Sequence, residues 1–226
     1  MSDTPKKADA AALRVVPLVV TGGVLLLLAA GLGLWLFVRG DQPFAIDVWW
    51  NSLLVDAWFP ALQAISLAMN FLGGGWFAVL VVPIGGAIIL ILLRKPWSAA
   101  YYIAAQAVSA GVVQILKHTF GRARPEEIAI LSDYGSFPSG HVAGAATLAT
   151  ALFVLVPRVG MIVVGAAWVF LMAFSRTYLH AHWLSDTLGG ALVGVGAALV
   201  VAAVFVRPLE RERRVSPRGH AADGDR

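Results

Sequence analysis

Long apolar runs separated by short polar stretches set the pattern of this 226-residue chain. A helix that crosses the roughly 30 Å hydrocarbon core of a bilayer needs about 20 residues, and lipid offers no partner for backbone polar groups outside a helix. Runs suited to such helices lie at residues 15–38, 76–93, 97–116, 142–156, 159–174 and 183–206. The pattern therefore predicts an all-α integral membrane bundle of six transmembrane helices.

Residues 44–72 form a less regular stretch, which is apolar at most positions but interrupted by Pro60 and by polar side chains. The polar residues are Asp47, Asn51, Asp56, Gln63 and Asn70. This pattern leaves two interpretations open: a seventh span, or a pair of helices at the membrane interface.

The distribution of positive charge favours six spans, because cytoplasmic segments of membrane proteins are enriched in Lys and Arg. With six spans and a cytoplasmic N-terminus, twelve of the 17 basic residues lie inside and five outside, whereas a seventh span gives seven inside and ten outside. The inner residues are Lys6, Lys7, Arg14, Arg94, Lys95, Arg158, Arg207, Arg211, Arg213, Arg214, Arg218 and Arg226, and the outer ones are Arg39, Lys117, Arg122, Arg124 and Arg176.

We therefore predict a multi-pass inner-membrane protein with both termini in the cytoplasm. Residues 44–72 are then an extracytoplasmic interfacial helical segment, where Trp49, Trp50 and Trp58 suit the interface. The predicted domains are a cytoplasmic polar tail at 1–14, a six-span domain at 15–206 and a cytoplasmic basic tail at 207–226.

Composition agrees with this picture and excludes several classes of protein. Apolar residues make up 59% of the chain and charged residues 13%, against about 25% charged residues in a soluble domain. The formal net charge of +4 is explained by membrane orientation, so no nucleic-acid partner is predicted. Cysteine is absent, which excludes disulfides and thiolate metal sites.

The first cluster of candidate functional residues runs from Lys117 to Pro125, with the sequence KHTFGRARP. Lys117 and Arg124 leave the end of a predicted helix together, and Pro125 restricts the backbone there. Fixed cations suit a phosphoryl group, whose charge lies on its non-bridging oxygens. Taken alone, the cluster is equally well explained as a basic loop.

The second cluster is Phe137-Pro-Ser-Gly-His141, directly before a run of small apolar residues. Ser139 suits a helix N-cap, and Gly140 lets a ligand approach the backbone N–H groups of a helix start, where anions bind readily. His141 then lies beside an anion site. By itself, a capped helix with an incidental surface histidine is the favoured explanation.

The third cluster contains Ser175, Arg176, His182 and Asp186. With a helix that begins near His182, Asp186 lies one turn further on the same face, within reach of a hydrogen bond to the imidazole. Such a bond fixes the tautomer and favours attack by the other ring nitrogen. A His–Asp pair that closes a helix end explains these residues equally well.

Together the three clusters resemble, at every fixed position, the signature motifs of the type 2 phosphatidic acid phosphatase family. Those motifs are a lysine, six residues and Arg-Pro; then Pro-Ser-Gly-His; then Ser-Arg, five residues, His, three residues and Asp. Their order and spacing match over residues 117–186, and the number and topology of spans resemble the family over residues 15–206.

The resemblance implies that His182 attacks phosphorus to give a phosphohistidine, while Asp186 orients the ring and balances its charge. His141 then protonates the leaving group and afterwards activates water. Phosphate binding falls to Lys117, Arg124, Ser139, Gly140 and Arg176. No metal or other cofactor is implied, and the spacing alone lets His141 and His182 exchange roles.

These features predict a metal-independent phosphatase that hydrolyses a lipid phosphate or prenyl diphosphate at the extracytoplasmic face. Family members act on phosphatidylglycerophosphate, phosphatidate or undecaprenyl diphosphate, and the motifs do not separate these substrates. A lipid A phosphatase or phosphotransferase is the alternative within the fold. Six spans disfavour a vanadium haloperoxidase, and polar residues gathered on one face disfavour a transporter. The sequence predicts no oligomeric state.

Other residues near the motifs have no fixed place in them. Three are expected to contact protein neighbours or solvent rather than substrate: Arg122, His118 and His180. Three acidic residues are expected in a solvated loop: Glu126, Glu127 and Asp133. Gly190 and Gly194 fit the spacing of small residues between closely packed helices.

Overall fold

The computed structural model describes residues 4–131 and 134–215, and every regular element within these ranges is helical. The helices are α1 (Thr4–Val38), α2 (Ala45–Asp56), α3 (Pro60–Gly73), α4 (Val82–Leu92), α5 (Pro96–Phe120), α6 (Gly140–Leu155), α7 (Val159–Tyr178) and α8 (Leu184–Val215). A π-helical turn at Phe77–Val81 leads directly into α4. The all-α prediction is confirmed for this part of the chain. Asp133 and the tail residues 1–3 and 216–226 lie outside it.

Four helical stretches are long and apolar enough to cross a membrane: Arg14–Val38, Pro96–Phe120, Val159–Tyr178 and Leu184–Arg214. A fifth crossing results if α3 and Phe77–Leu92 form one span bent by 47°. The apolar helix α6 has only 16 residues, about 24 Å of helix, which is shorter than the hydrocarbon core. The described residues thus give a multi-pass membrane protein with four or five candidate spans, and six stays a prediction.

The two ends of the chain are more helical than the apolar pattern predicts. α1 begins at Thr4, inside the predicted polar tail, and α8 continues to Val215, past the predicted end of the last span. Both extensions are rich in Ala, Lys, Glu or Arg, which are strong helix formers. A change in polarity therefore marks the end of an apolar run here without ending the helix.

A glycine-rich bend separates α3 from the π-helical turn. Gly74 is extended, and Gly75 has a φ of +56°, a left-handed conformation that glycine adopts without steric cost. Residues 44–72 contain two helices, α2 and α3, which are separated at residues 57–59. The helix α3 ends at the glycine-rich bend. α3 packs against α7, so its last turn is held beside the main bundle.

The helix α8 is central and packs against α1, α5 and α6. A Cβ atom on Gly190 would lie 2.4 Å from the Ser139 carbonyl oxygen, and one on Gly194 would lie 2.3 Å from that of Ala143. Only glycine allows α8 and α6 to approach so closely. The close helix packing predicted from these two glycines is confirmed.

The motif residues lie at helix ends on one side of the bundle. Lys117 and Arg176 occupy the last turns of α5 and α7, whereas His141 and Asp186 occupy the first turns of α6 and α8. Asn70 comes from the last turn of α3. Because these long helices alternate in direction, the C-terminal ends of two meet the N-terminal ends of the other two.

Candidate active site

A cavity of about 810 Å³ collects most of the motif residues. The predicted site residues that line it are Lys117, Arg124, Gly140, His141, Arg176 and His182. Ser139 and Asp186 are fully buried behind its wall. The structure therefore brings the three predicted clusters to one place.

Three positively charged side chains line this cavity, and we refer to Lys117, Arg124 and Arg176 as the cavity cations. Lys117 Nζ donates a hydrogen bond to the Gly135 carbonyl oxygen at 2.7 Å. Arg124 donates from Nη2 to the same carbonyl oxygen at 2.9 Å and from Nη1 to the Ala181 carbonyl oxygen at 2.5 Å. Backbone carbonyls thus fix the direction of two of the three cations.

The nitrogen Nδ1 of His182 donates to the Ser136 carbonyl oxygen at 2.8 Å, while the nearest oxygen of Asp186 lies 3.7 Å away. The expected His182–Asp186 hydrogen bond is therefore replaced by a bond to a backbone carbonyl. The reason is local, because α8 begins at Leu184 and His182 remains in the preceding loop. With Nδ1 occupied, Nε2 faces the cavity and lies 3.3 Å from Arg124 Nη1.

Burial lowers the pKa of His182 from its ordinary value of 6.5 to about 4. The positive charges of Arg124 and Arg176 lower this pKa further, while the nearby carboxylate of Asp186 opposes both effects. The imidazole is therefore neutral at pH 7. Its Nε2 lone pair accepts a hydrogen bond from Arg124 Nη1 at 3.3 Å, and it can attack an electrophile in the cavity once Arg124 turns to that ligand.

The carboxylate of Asp186 is occupied by donors other than His182. Its Oδ1 accepts from Arg122 Nη1 at 2.5 Å. Its Oδ2 accepts from Ser136 Oγ at 2.5 Å and from the Trp183 backbone N–H at 2.9 Å. Arg122 contacts protein neighbours, as predicted, whereas Ser136 is a contact that sequence reasoning missed.

Asn70 contacts two predicted site residues from α3. Its Oδ1 accepts a hydrogen bond from Arg176 Nη1 at 2.6 Å, and its carbonyl oxygen accepts one from His141 Nε2 at 3.2 Å. Sequence reasoning missed this role. The available signal was a polar residue within the otherwise apolar stretch 44–72.

Ser139 occupies the N-cap position of α6, as predicted, but its side chain makes no capping hydrogen bond. Its backbone N–H donates to the Asp186 carbonyl oxygen at 3.0 Å. Its buried Oγ finds no partner among the described residues. Gly140 follows as the first residue of α6, so the positive end of the helix dipole adjoins the cavity.

The remaining neighbours lie outside the cavity. His180, in a left-handed conformation with φ +51°, donates from Nδ1 to Asn51 Oδ1 at 2.7 Å. Glu126, Glu127 and His118 are exposed, as expected for solvated positions, and Glu127 accepts from Asn51 Nδ2 at 3.0 Å. Within the described ranges, no group of three or more His, Cys, Asp or Glu is placed to hold a metal ion.

Several known proteins are similar to this chain. The sequence profile of the PAP2 superfamily matches residues 95–209, which include all three motifs. A lipid A 1-phosphatase from Rhizobium johnstonii is 30% identical over 130 residues, which cover 51% of this chain and 51% of that protein. A decaprenylphosphoryl-5-phosphoribose phosphatase from Mycobacterium tuberculosis is 30% identical over 171 residues, which cover 74% of this chain and 91% of that protein.

Among solved structures, a transmembrane PAP2-type phosphatidylglycerolphosphate phosphatase from Bacillus subtilis superposes with a TM-score of 0.72. The superposition covers 83% of this chain and 96% of that chain, at 21% sequence identity. At this identity the likeness shows a shared fold. The helices that carry the motif residues are therefore arranged as in a known membrane protein.

Proposed function

The chain belongs to the PAP2 superfamily, and from this premise we propose that it is a metal-independent membrane phosphatase acting on a lipid phosphate or prenyl diphosphate. The cavity carries the proposal, because it joins a charged site to an apolar wall. Family membership confirms the resemblance read from the three motifs, and with it the expectation of phosphate chemistry.

The apolar wall follows the π-helical turn, α4 and α5 away from the cavity cations. It includes Phe77, Leu80, Pro83, Ile84, Ile103, Ala107 and Ala110. On α5, Ile103 lies 14 residues before Lys117, about 21 Å along the helix axis. That distance exceeds half of the roughly 30 Å hydrocarbon core. A phosphate ester with a long hydrocarbon chain fills such a surface, whereas a soluble phosphate ester has no group to cover it.

In the first half-reaction, His182 Nε2 attacks phosphorus, and the bond from phosphorus to the leaving oxygen breaks. The cavity cations bind the phosphoryl oxygens and stabilise the charge that spreads over them in the transition state. The negative charge of the bound phosphate favours the protonated form of His141, which then gives a proton to the leaving oxygen. Asp186, 3.7 Å from Nδ1, balances the positive charge of the phosphorylated ring.

In the second half-reaction, a water molecule attacks the phosphohistidine, and the bond from phosphorus to Nε2 breaks. His141, now neutral, accepts a proton from that water, and inorganic phosphate leaves. The N–H of Gly140, which lines the cavity, donates to a phosphoryl oxygen in both steps. The Ser139 hydroxyl, which has no partner among the described residues, donates to a second oxygen after it rotates toward the cavity.

This proposal includes a six-span topology with the site on the extracytoplasmic face of the inner membrane. The twelve-to-five distribution of basic residues supports it. Residues 44–72 then form the interfacial segment, and Trp49 and Trp58, which are 56% and 43% exposed, suit an interface. Residues 15–206 form the phosphatase domain, with cytoplasmic tails at 1–14 and 207–226.

The substrate class draws support from the relatives, which are named for lipid A and for a decaprenylphosphoryl compound. A lipid A phosphatase, or a phosphotransferase of the same fold, is the second candidate, and the Rhizobium relative favours the former. A panel of lipid monophosphates and prenyl diphosphates, compared by kcat/KM, separates these substrates.

Release of inorganic phosphate from the purified protein in detergent, with EDTA present, tests the proposal. We expect turnover of at least one phosphorylated lipid or prenol, and inhibition by vanadate. His182→Ala removes the nucleophile and should lower kcat by about 10³-fold or more. The matched control is His118→Ala, at an exposed histidine outside the cavity, which should keep the wild-type rate. A strict Mg²⁺ requirement, or a fully active His182→Ala variant, would refute the mechanism.

A further inference from the structure

Arg122 and Asp47 form a buried ion pair outside the cavity, and neither residue occupies a fixed position of the motifs. We propose that this pair positions the nucleophile: Arg122, held by Asp47, fixes Asp186 and Ser136, and the Ser136 carbonyl in turn orients His182. Because this role presupposes the phosphatase activity proposed above, Arg122 and Asp47 are positioning residues for that reaction.

Arg122 is separated from Arg124 by one residue, yet the two arginines face different surroundings. Arg124 lines the cavity. The side chain of Arg122 is 0% exposed and lies over the ring of Trp183 at 5.7 Å. A cation withdrawn from both water and the substrate cavity acts through its protein contacts, because a buried charge is costly unless it is paired.

The guanidinium of Arg122 bridges two carboxylates. Nη1 donates to Asp186 Oδ1 at 2.5 Å and to Ser185 Oγ at 2.8 Å, and Nη2 donates to Asp47 Oδ2 at 3.1 Å. All three charged side chains are 0% exposed. A bridge of this kind fixes the plane of the guanidinium, and therefore the position of each carboxylate relative to the other.

Asp47 is itself held firmly at the start of α2. Its Oδ1 accepts from the Ser185 backbone N–H at 2.8 Å, and its Oδ2 accepts from Ser185 Oγ at 2.7 Å and from the Phe44 backbone N–H at 3.1 Å. These bonds connect α2 to the first turn of α8. Asp47 thus fixes the far side of Arg122 against the helix that carries Asp186.

The contacts continue from Asp186 to the nucleophile. Ser136 donates from Oγ to Asp186 Oδ2 at 2.5 Å and from its backbone N–H to the Arg122 carbonyl oxygen at 2.7 Å. Its own carbonyl oxygen accepts Nδ1–H of His182 at 2.8 Å. Arg122, Asp186 and Ser136 therefore form a closed ring of contacts. Ser136 belongs to this ring, and because its carbonyl holds Nδ1 of His182, it sets the direction in which Nε2 points.

Charge explains why a displaced Arg122 would affect the reaction. The two carboxylates and the guanidinium together carry a net charge of −1, close to an imidazole that becomes positive when it is phosphorylated. Without Arg122, Asp47 and Asp186 would be two buried like charges that repel each other. Asp186 Oδ1 would also lose the Arg122 donor, so Asp186 and Ser136 would move even where the repulsion is removed, and the imidazole would lose its alignment with the phosphorus atom.

The first test compares Arg122→Met with the wild-type enzyme, since methionine approximates the stem of arginine as far as Nε and donates no hydrogen bond. We expect kcat to fall on the order of 10- to 100-fold while KM stays within about twofold, because the residues that bind phosphate are untouched. Arg122→Lys keeps the charge but not the bridge, and should recover part of kcat. The matched control is Arg39→Gln, at an exposed arginine, which should behave as wild type.

The double variant Arg122→Met/Asp47→Asn separates positioning from folding. It removes one charge of each sign, so the net charge of the cluster returns to −1, and thermal stability should recover relative to Arg122→Met. We expect kcat to remain low, because Asp186 Oδ1 still lacks the hydrogen bond from Arg122 Nη1. Recovery of both stability and kcat would overturn the proposal, as would a raised KM with an unchanged kcat.

Ligand affinities can be measured without turnover, so they test the positioning role separately from the proposed phosphatase activity. Vanadate can bond to the oriented Nε2, whereas inorganic phosphate needs only the cavity cations. We expect the affinity for vanadate to fall about tenfold or more in Arg122→Met with the affinity for phosphate unchanged. Equal vanadate affinities would overturn the positioning role even if no lipid substrate is found. Where Arg122→Met does not fold, Asp47→Asn takes its place, with the same expected split and the same refuting result.

Discussion

His182 combines a fixed hydrogen bond at Nδ1 with burial of the whole ring, and the two features act on different properties. The bond to the Ser136 carbonyl selects the tautomer, so that Nε2 carries the lone pair. Burial disfavours the charged imidazolium, so the ring stays neutral at pH values below the ordinary pKa of histidine. Both properties belong to single side chains and can be tested there.

We predict that the pH dependence of kcat/KM, which reports ionisation of the free enzyme, reflects the lowered pKa of His182. The imidazole is neutral above about pH 5 and becomes protonated as the pH falls through about 4, and only the neutral form attacks phosphorus. The profile of kcat/KM, corrected for the separately measured ionisation of the substrate, should therefore lose activity near pH 4. An acidic limb centred at the ordinary histidine value of 6.5 would contradict a buried neutral ring.

Among the helices, α2 and α3 have a larger part in the site than their sequence suggests. Both lie before residues 95–209, the region that matches the family profile. Nevertheless α2 supplies Asp47 to Arg122, and α3 supplies Asn70 to Arg176 and His141. The bend after α3 also places Gly74 against the imidazole of His141.

The bend gives a prediction at the level of this element. A Cβ atom on Gly74 would lie 2.4 Å from His141 Nε2, whereas the backbone of Gly74 at φ −137° and ψ 178° accepts alanine. The ring of His141 should move most, while the Asn70 carbonyl oxygen, 3.0 Å from that Cβ atom, needs to move only slightly. Gly74→Ala should therefore lower kcat on the order of 10- to 100-fold with little change in melting temperature.

The matched control for this bend is Gly85→Ala in α4, where an added Cβ atom meets nothing within 4 Å. Alanine is favoured over glycine inside a helix, so activity and stability should stay at or above wild-type values. Equal activity of Gly74→Ala and Gly85→Ala would show that contact between the bend and His141 has no part in the reaction.

For the whole molecule, the number of spans determines on which side of the membrane the cavity lies. The motif residues share one end of the bundle, so a single assignment of sidedness places the entire cavity. The six-span topology puts that end outside, where a phosphorylated lipid would present its headgroup to water. An additional crossing by residues 44–72 would put it in the cytoplasm.

The absence of native cysteine allows a direct test of this topology by labelling introduced thiols. We predict that Glu126→Cys and Ala57→Cys react with a membrane-impermeant maleimide in intact spheroplasts, because both exposed positions lie outside in the six-span topology. Arg158→Cys, exposed between α6 and α7, should react only after permeabilisation. Protection of Glu126→Cys together with labelling of Arg158→Cys from outside would reverse the orientation and leave the chemistry unaffected.

The sequence by itself determined features that depend on local pattern. Apolar runs located the long helices, since a span must satisfy its backbone hydrogen bonds within itself. Motif spacing identified the cavity cations and the two cavity histidines, and Gly190 and Gly194 predicted close packing of α8. Each of these inferences needs only neighbouring residues and a helical or loop geometry.

The tertiary structure decided which of these residues touch one another. Arg122 and Asp47 are 75 residues apart, and Arg176 and Asn70 are 106 apart, so no local pattern could pair them. Because α8 begins at Leu184, His182 lies in the preceding loop. Its Nδ1 therefore bonds to the Ser136 carbonyl oxygen and not to the Asp186 carboxylate. The physical reason is that a buried polar group must find a partner wherever packing places one, and packing is a property of the whole fold.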